Sequence, residues 1–146
     1  MPRIWAGTVT DQHVPYVRPQ ENGNREDVSW VELKDANGIG LGISAPDRPF
    51  SFSALHFAAS DLSSARHNWE LKPRREVILS VNARQSGLGN SSCGPGVLEQ
   101  YAVRSDSLAL KLIIPRTVHG HDEQRHANQC NAIQTSRVYL EGDYFV

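Results

Sequence analysis

VSWVELKDANGIGLGISA, Val28 to Ala45, reads as a β-hairpin and decides the fold. Val28 to Lys34 is apolar with Ser29, Glu32 and Lys34 interspersed, a strand pattern with one irregularity of phase. Asp35-Ala36-Asn37-Gly38 supplies the turn, because Asn-Gly enters left-handed backbone conformations readily. On the return, Ile39, Leu41, Ile43 and Ala45 alternate with Gly40, Gly42 and Ser44, so one face is apolar and the other nearly bare. A bare face lets another sheet or loop approach closely.

Upstream of the hairpin lies PYVRPQENGNR, Pro15 to Arg25, which joins Tyr16, two prolines and a polar run in the manner of an ordered turn. Tyr16 and Val17 anchor one end, and Glu21 and Arg25 are spaced for an internal ion pair. Before it, Trp5 to Val9 fits one short strand with Trp5 as a core plug. Downstream, Phe50, Phe52 and Ala54 point together, and a change of phase at Leu55 and Phe57 marks a bulge or the strand's end. A brief helix follows: Ser60 can cap it, Asp61 suits its first turn, and Leu62, Ala65, Arg66 and Trp69 recur at helical spacing.

Glu76 to Asn82 is a further strand with Val77, Leu79 and Val81 in phase. Gly87 to Gly96 holds four glycines in ten positions and is a loop with unusual backbone angles. It lacks the Lys and Ser/Thr pattern of a phosphate-binding loop. Val97 to Arg104 is expected to begin a strand, and Leu108 to Ile114 is the clearest one remaining, its two apolar faces arguing for a central position before Pro115 ends it. From Thr117 the character changes. His119, His121, His126 and Cys130 are chemically adequate for zinc, but their spacing matches no strong zinc motif and no metal site is assigned. Disorder is expected through Asp122 to Asn131, with a terminal strand at Arg137 to Leu140 one alternative for the tail, beside an unrelated extension or altered reading near a gene's end.

The 146 residues suit one domain, 39% hydrophobic and 21% charged. With 15 Lys plus Arg against 16 Asp plus Glu, the net charge of -1 gives no field to gather nucleic acid or anionic lipid, so neither is expected as a partner. Two cysteines, Cys93 and Cys130, do not describe a disulfide-stapled scaffold. No apolar run reaches the roughly 20 residues of a membrane helix, and the N-terminus lacks a signal-peptide stretch. Cytoplasmic localisation is the expectation, although a fragment of a longer chain would lack a signal in any case.

Four blocks, in order, resemble the C-terminal domain of the large β-galactosidases of glycoside hydrolase family 2: PYVRPQENGNREDVSW from Pro15, PFSFSALHF from Pro49, SARHNWELKP from Ser64 and VNARQSGLGNSSCGPG from Val81. The resemblance covers Trp5 to Ile114. It implies residues 1–116 as a partial C-terminal β-domain and 117–146 as an unmatched, flexible tail. The implied fold is mainly β, an antiparallel sandwich that is part of a galactose-mutarotase-like supersandwich with one short helix. As this chain matches only about half of that domain, Trp5 would face missing neighbours, and open strand edges predict poor solubility or self-association.

Chemistry by this segment alone is not expected. A retaining glycosidase needs two carboxyl groups about 5 Å apart, and none of the eight Glu and eight Asp is nominated by a motif. In the family resembled, the catalytic glutamates lie in a central α/β barrel absent here, and magnesium and sodium belong to other domains; no cofactor is expected in this chain. The glycine-rich loop of that family reaches the active site, where many members place a tryptophan as an apolar wall for the galactoside. Its matching position here is Cys93, with Ser92 and Asn90 as neighbouring wall candidates. Tyr16, Arg18, Glu21, Asn22 and Arg25 are candidates for bracing the loop or seating the domain on the catalytic barrel. Arg84 and Gln85 precede the glycine loop, placed either to support it by hydrogen bonds or to face solvent.

The resemblance therefore implies a noncatalytic C-terminal fragment that packs on a catalytic β-galactosidase chain or domain and helps wall the site for terminal β-D-galactosides. Two alternatives stand beside it. A separately encoded small subunit would depend on its partner for solubility. A stand-alone carbohydrate-binding sandwich would need an aromatic sugar platform, which Cys93 weakens.

Overall fold

The computed structural model describes residues 4–87, 93–104, 109–117 and 136–141. Within them, strands β1 (Ile4–Thr8), β2 (Arg25–Lys34), β3 (Gly40–Ser44), β4 (Phe50–Leu55), β5 (Ile78–Asn82), β6 (Arg116–Thr117) and β7 (Ser136–Glu141) belong to one sheet, and α1 (Ala59–Ser64) is the single α-helix. The chain is thus mainly β with one short helix.

The hairpin forms where the sequence places it. Val31 opposes Ile43 and Leu33 opposes Leu41, so the apolar face of β3 meets the apolar side chains of β2. On the other face Trp30, Glu32 and Lys34 oppose Ser44, Gly42 and Gly40, large side chains beside small ones. The carboxylate of Asp35 accepts from the backbone N–H of Asn37 and of Ile39, both at 2.9 Å, and holds the turn while Gly38 supplies a φ of 75°. Those two bonds also hold the Asp35 carboxyl below its ordinary value, the Ile39 bond most strongly.

β2 is long enough to organise the sheet. Its second half lies between β3 and β7, whereas its first half pairs antiparallel with β4 through Arg25–Phe52 and Val28–Phe50. The register shifts between those pairs, at Asp27, whose φ of 57° marks the kink. β4 passes the sheet on to β5, and β3 passes it to β6. The core is built from Val28, Val31, Leu33, Ile43, Ala45, Phe50, Phe52 and Ala54, with Val9 closing it from below and Val77, Leu79 and Val81 packed alongside. Leu62 is the buried anchor of α1, at 1% exposure.

Several expectations are corrected. Pairing is antiparallel for β2–β3, β2–β4, β3–β6 and β4–β5, but β7 runs parallel to both β1 and β2, so the sheet is mixed. The helix stops at Ser64 because Ala65 turns extended, and the Arg66 N–H then bonds the Glu70 carboxylate at 2.9 Å; Trp69 consequently leaves the helical face and stands 79% exposed. Ser60 lies inside the first turn, and Asp61 instead accepts from the N–H of Ala58 at 2.8 Å. Glu99–Tyr101 is a single 3-10 turn rather than strand, closed by local bonds from Tyr101 to Leu98 and Ala102 to Glu99. The segment from Ala109 lies at the sheet edge rather than its centre. Ile113 exchanges two backbone bonds with Ser44, the carbonyl of Pro115 accepts from Gly42, and β6 follows directly, so Pro115 does not end the pairing. An edge tolerates the missing proline N–H. The flexible-tail expectation for 117–146, like the histidine cluster with Cys130, falls mostly outside the described residues; inside them, Ser136–Glu141 is strand.

Candidate functional site

The loop between β1 and β2 is held from within by a buried glutamine. Gln12, only 3% exposed, accepts from Arg25 Nη2 at 2.8 Å and donates from Nε2 to the Thr8 carbonyl at 3.3 Å. Arg25 also lies over the Trp5 indole, 5.2 Å from the ring centroid, and the same indole covers Gly7, where a Cβ would meet it at 2.5 Å. Trp5 is half-buried against the core edge. Arg25 therefore turns inward, and the anticipated ion pair with Glu21 does not form: Glu21 is exposed, and Arg25 is engaged by Gln12 and Trp5.

Asn22 closes the next ring of contacts. Its Oδ1 accepts from the Val14 N–H at 2.9 Å, its Nδ2 donates to the Gln20 carbonyl at 2.9 Å, and His13 Nδ1 stands 3.4 Å from that same amide nitrogen. His13 packs against Phe57 with centroids 4.9 Å apart, and burial pushes its imidazole below the ordinary value. Gly23 has a φ of 74°, and a Cβ there would approach the Gln12 carbonyl at 2.9 Å, so the tight passage requires glycine.

Contrary to the sequence reading, Tyr16 and Val17 do not anchor the loop by burial but stand on its exposed, apolar outer side. Tyr16 is 45% and Val17 95% exposed, while the Tyr16 carbonyl accepts from Asn68 Nδ2 at 2.6 Å. That bond carries the loop to the turn at Asn68–Glu70, where Trp69 stacks on His67 at 4.1 Å with planes 11° apart. Tyr16 and Val17 on the loop and Trp69 on the turn are thus an exposed apolar ridge across two segments joined by that bond. Arg18 is exposed beside it.

A second feature is an open cleft of about 540 Å³ between the starts of β2 and β4, the end of β5 and the Glu99–Tyr101 turn. Glu26, Asp27, Arg48, Arg84, Gln85 and Tyr101 face it with Gln100 nearby, a mixture of carboxylates, guanidiniums, amides and one phenol suited to a hydroxyl-rich ligand. Arg84 and Gln85 are the residues that lead into the glycine-rich loop. Cys93 in that loop is an exposed free thiol; Ser92 and Asn90 lie outside the described residues. The site candidates thus separate into two groups, Tyr16, Arg18, Glu21, Asn22 and Arg25 on the braced loop, and Cys93 beyond the β5 end. Gln12, His13 and Asn68 went unnoticed in the sequence, where isolated polar residues carry no periodic signal. Among the described residues, no three His, Cys, Asp or Glu side chains are grouped to hold a metal ion, and no helix is long and apolar enough to cross a membrane.

The described residues thus form a one-sheet β-domain with a hydrogen-bonded loop and, apart from it, a polar cleft. A model of the family described as "Beta galactosidase small chain" matches residues 2–114, and the chain belongs to that family, within the β-galactosidases of glycoside hydrolase family 2. It is similar to "Beta-galactosidase BgaC" of Bifidobacterium adolescentis, 38% identical over 106 residues, 70% of this chain and 10% of that protein. A β-galactosidase of Arthrobacter sp. is 38% identical over 113 residues, 74% of this chain and 11% of its own length. Another, of Actinobacillus pleuropneumoniae, is 32% identical over 117 residues, 79% of this chain and 11% of its own. The chain spans about a tenth of the length of the curated relatives it matches.

Proposed function

We propose that this chain serves a β-galactosidase as a noncatalytic accessory part, packing on a catalytic chain or domain and helping to wall the galactoside site during hydrolysis of terminal β-D-galactosides. The observation that carries the reading is the ridge of Tyr16, Val17 and Trp69, three exposed apolar side chains on a loop braced by Gln12 and Asn22 and on the turn tied to it by the Asn68–Tyr16 bond. Exposed apolar surface on a braced loop is what a docking face requires. The sheet would then form one layer of a larger sandwich of the galactose-mutarotase-like kind. Magnesium and sodium, where the assembled enzyme uses them, would be held by its other domains.

Cys93 joins the wall from the glycine-rich loop, flanked by Ser92 and Asn90. Its thiol should react freely with a maleimide in the isolated chain and be shielded by a galactoside in the assembled enzyme. Docking is tested with Val17→Asp and Trp69→Asp, mixed with a β-galactosidase chain lacking its terminal domain and followed by sedimentation. Each should weaken association at least tenfold while leaving the stability of the free chain within about 0.5 kcal/mol, as for exposed positions. Unchanged association would remove the ridge from the interface.

A further inference from the structure

β1 and β2 stand on either side of a gap one strand wide. Neighbouring strands lie about 4.8 Å apart, so two strands with one between them are separated by roughly 9.6 Å, too far to bond each other. β7 fills that gap in parallel register: Trp5, Val138 and Val31 align, as do Gly7, Leu140 and Leu33. It makes five register pairs with β1 and six with β2. Without it, the inward edges of both strands would present unpaired N–H and C=O groups inside the sheet.

Both walls of this slot lie inside the matched family segment, which ends at residue 114, whereas β7 begins at Ser136. The relatives are about ten times the length of the part they share with this chain. β7 runs parallel to both walls and reaches them by a long crossover rather than a tight turn. We propose that the slot between β1 and β2 is an acceptor for one strand of the larger β-galactosidase chain, and that Ser136–Glu141 occupies it here as a displaceable stand-in. The slot stands on the strand pairing alone; the identity of the incoming strand's owner rests on the function proposed above.

The test begins with a chain ending at residue 135. Amides of Trp5–Thr8 and Trp30–Lys34 should exchange with deuterium at least tenfold faster than in the intact chain. A synthetic peptide of residues 134–143 should restore their protection, and a scrambled peptide should not. Unchanged exchange on truncation, or failure of the peptide to restore it, would overturn the slot. Should the truncated chain unfold, Val138→Pro in the intact chain asks the same question by removing one ladder donor. Faster exchange confined to β1, β2 and β7 supports the proposal; an equal rise in β4 and β5 would make β7 integral to the fold and overturn it. With a β-galactosidase chain lacking only the segment that corresponds to residues 2–114, the truncated form should bind at least tenfold more tightly than the intact one, since no stand-in competes. Equal binding would overturn the exchange alone. Binding by neither would remove the catalytic chain as partner, and the function proposed above with it.

Discussion

Replacing Arg25 by methionine removes the centre of the loop brace while keeping most of the aliphatic stem. Two contacts are lost: the charge-assisted bond from Nη2 to Gln12 at 2.8 Å, and the guanidinium over Trp5 at 5.2 Å. A hydrogen bond to a charged group contributes about 1.5–3 kcal/mol, and a cation–π contact at a partly exposed site about 0.5–1. Gln12 is 3% exposed, so its freed Oε1 has little access to water and the upper part of that range applies. Arg25→Met should therefore cost about 3 kcal/mol, measured by urea unfolding followed by circular dichroism. Gln12→Leu should cost somewhat less, and the double variant should show a coupling energy of about 1.5 kcal/mol, because each change deletes the same bond. Glu21→Gln, at an exposed position outside the brace, should change stability by less than about 0.5 kcal/mol. A cost below about 0.5 kcal/mol for Arg25→Met, or strict additivity with Gln12→Leu, would refute the brace; a large effect of Glu21→Gln would restore the ion pair in its place.

Other outcomes follow from single residues. Asp61 is held down to about 2, from an ordinary value of 3.8, first by the hydrogen bond from Arg74 and then by the Ala58 N–H. A lowered folded value means the ionised form favours folding, so this contribution is present above the ordinary range and fades as pH falls toward about 2; Asp61→Asn should flatten that part of the acid-unfolding profile. Leu62→Ala should destabilise by about 2–3 kcal/mol in the same urea assay, since Leu62 is 1% exposed and is the buried anchor of α1. Gly40→Ala would drive a Cβ into the Leu33 carbonyl oxygen within the hairpin, and should cost at least about 2 kcal/mol or abolish soluble expression.

The parts of the fold legible in the sequence are those written by local chemistry. The Asp35-to-Gly38 turn, the alternation of Ile39 to Ala45 and the in-phase Phe50, Phe52 and Ala54 each specify face and reversal within a few residues, and each is found as read save for Ile39, which precedes β3 and is 39% exposed. Non-local choices were not legible. Apolar periodicity in Leu110 and Leu112 reports that they pack on the core, but not that Ile113 borders β3 at the sheet edge. Nothing in Ser136–Glu141 specifies parallel insertion between β1 and β2, which depends on partners about a hundred residues away. Trp69 shares helical spacing with Leu62 by coincidence, since the extended Ala65 breaks the helix between them. At the loop, the polar run around Asn22 announces an ordered turn, whereas the burial of Gln12 arises only once the chain wraps over it.

The most direct measurement is hydrolysis of a chromogenic β-galactoside by this chain alone, and by this chain mixed with a β-galactosidase chain lacking its terminal domain. The account predicts no turnover by the isolated chain and restored turnover in the mixture. Turnover by the chain alone would contradict its noncatalytic role, and a mixture as inactive as its parts, with the chain folded by circular dichroism, would contradict its place in the enzyme.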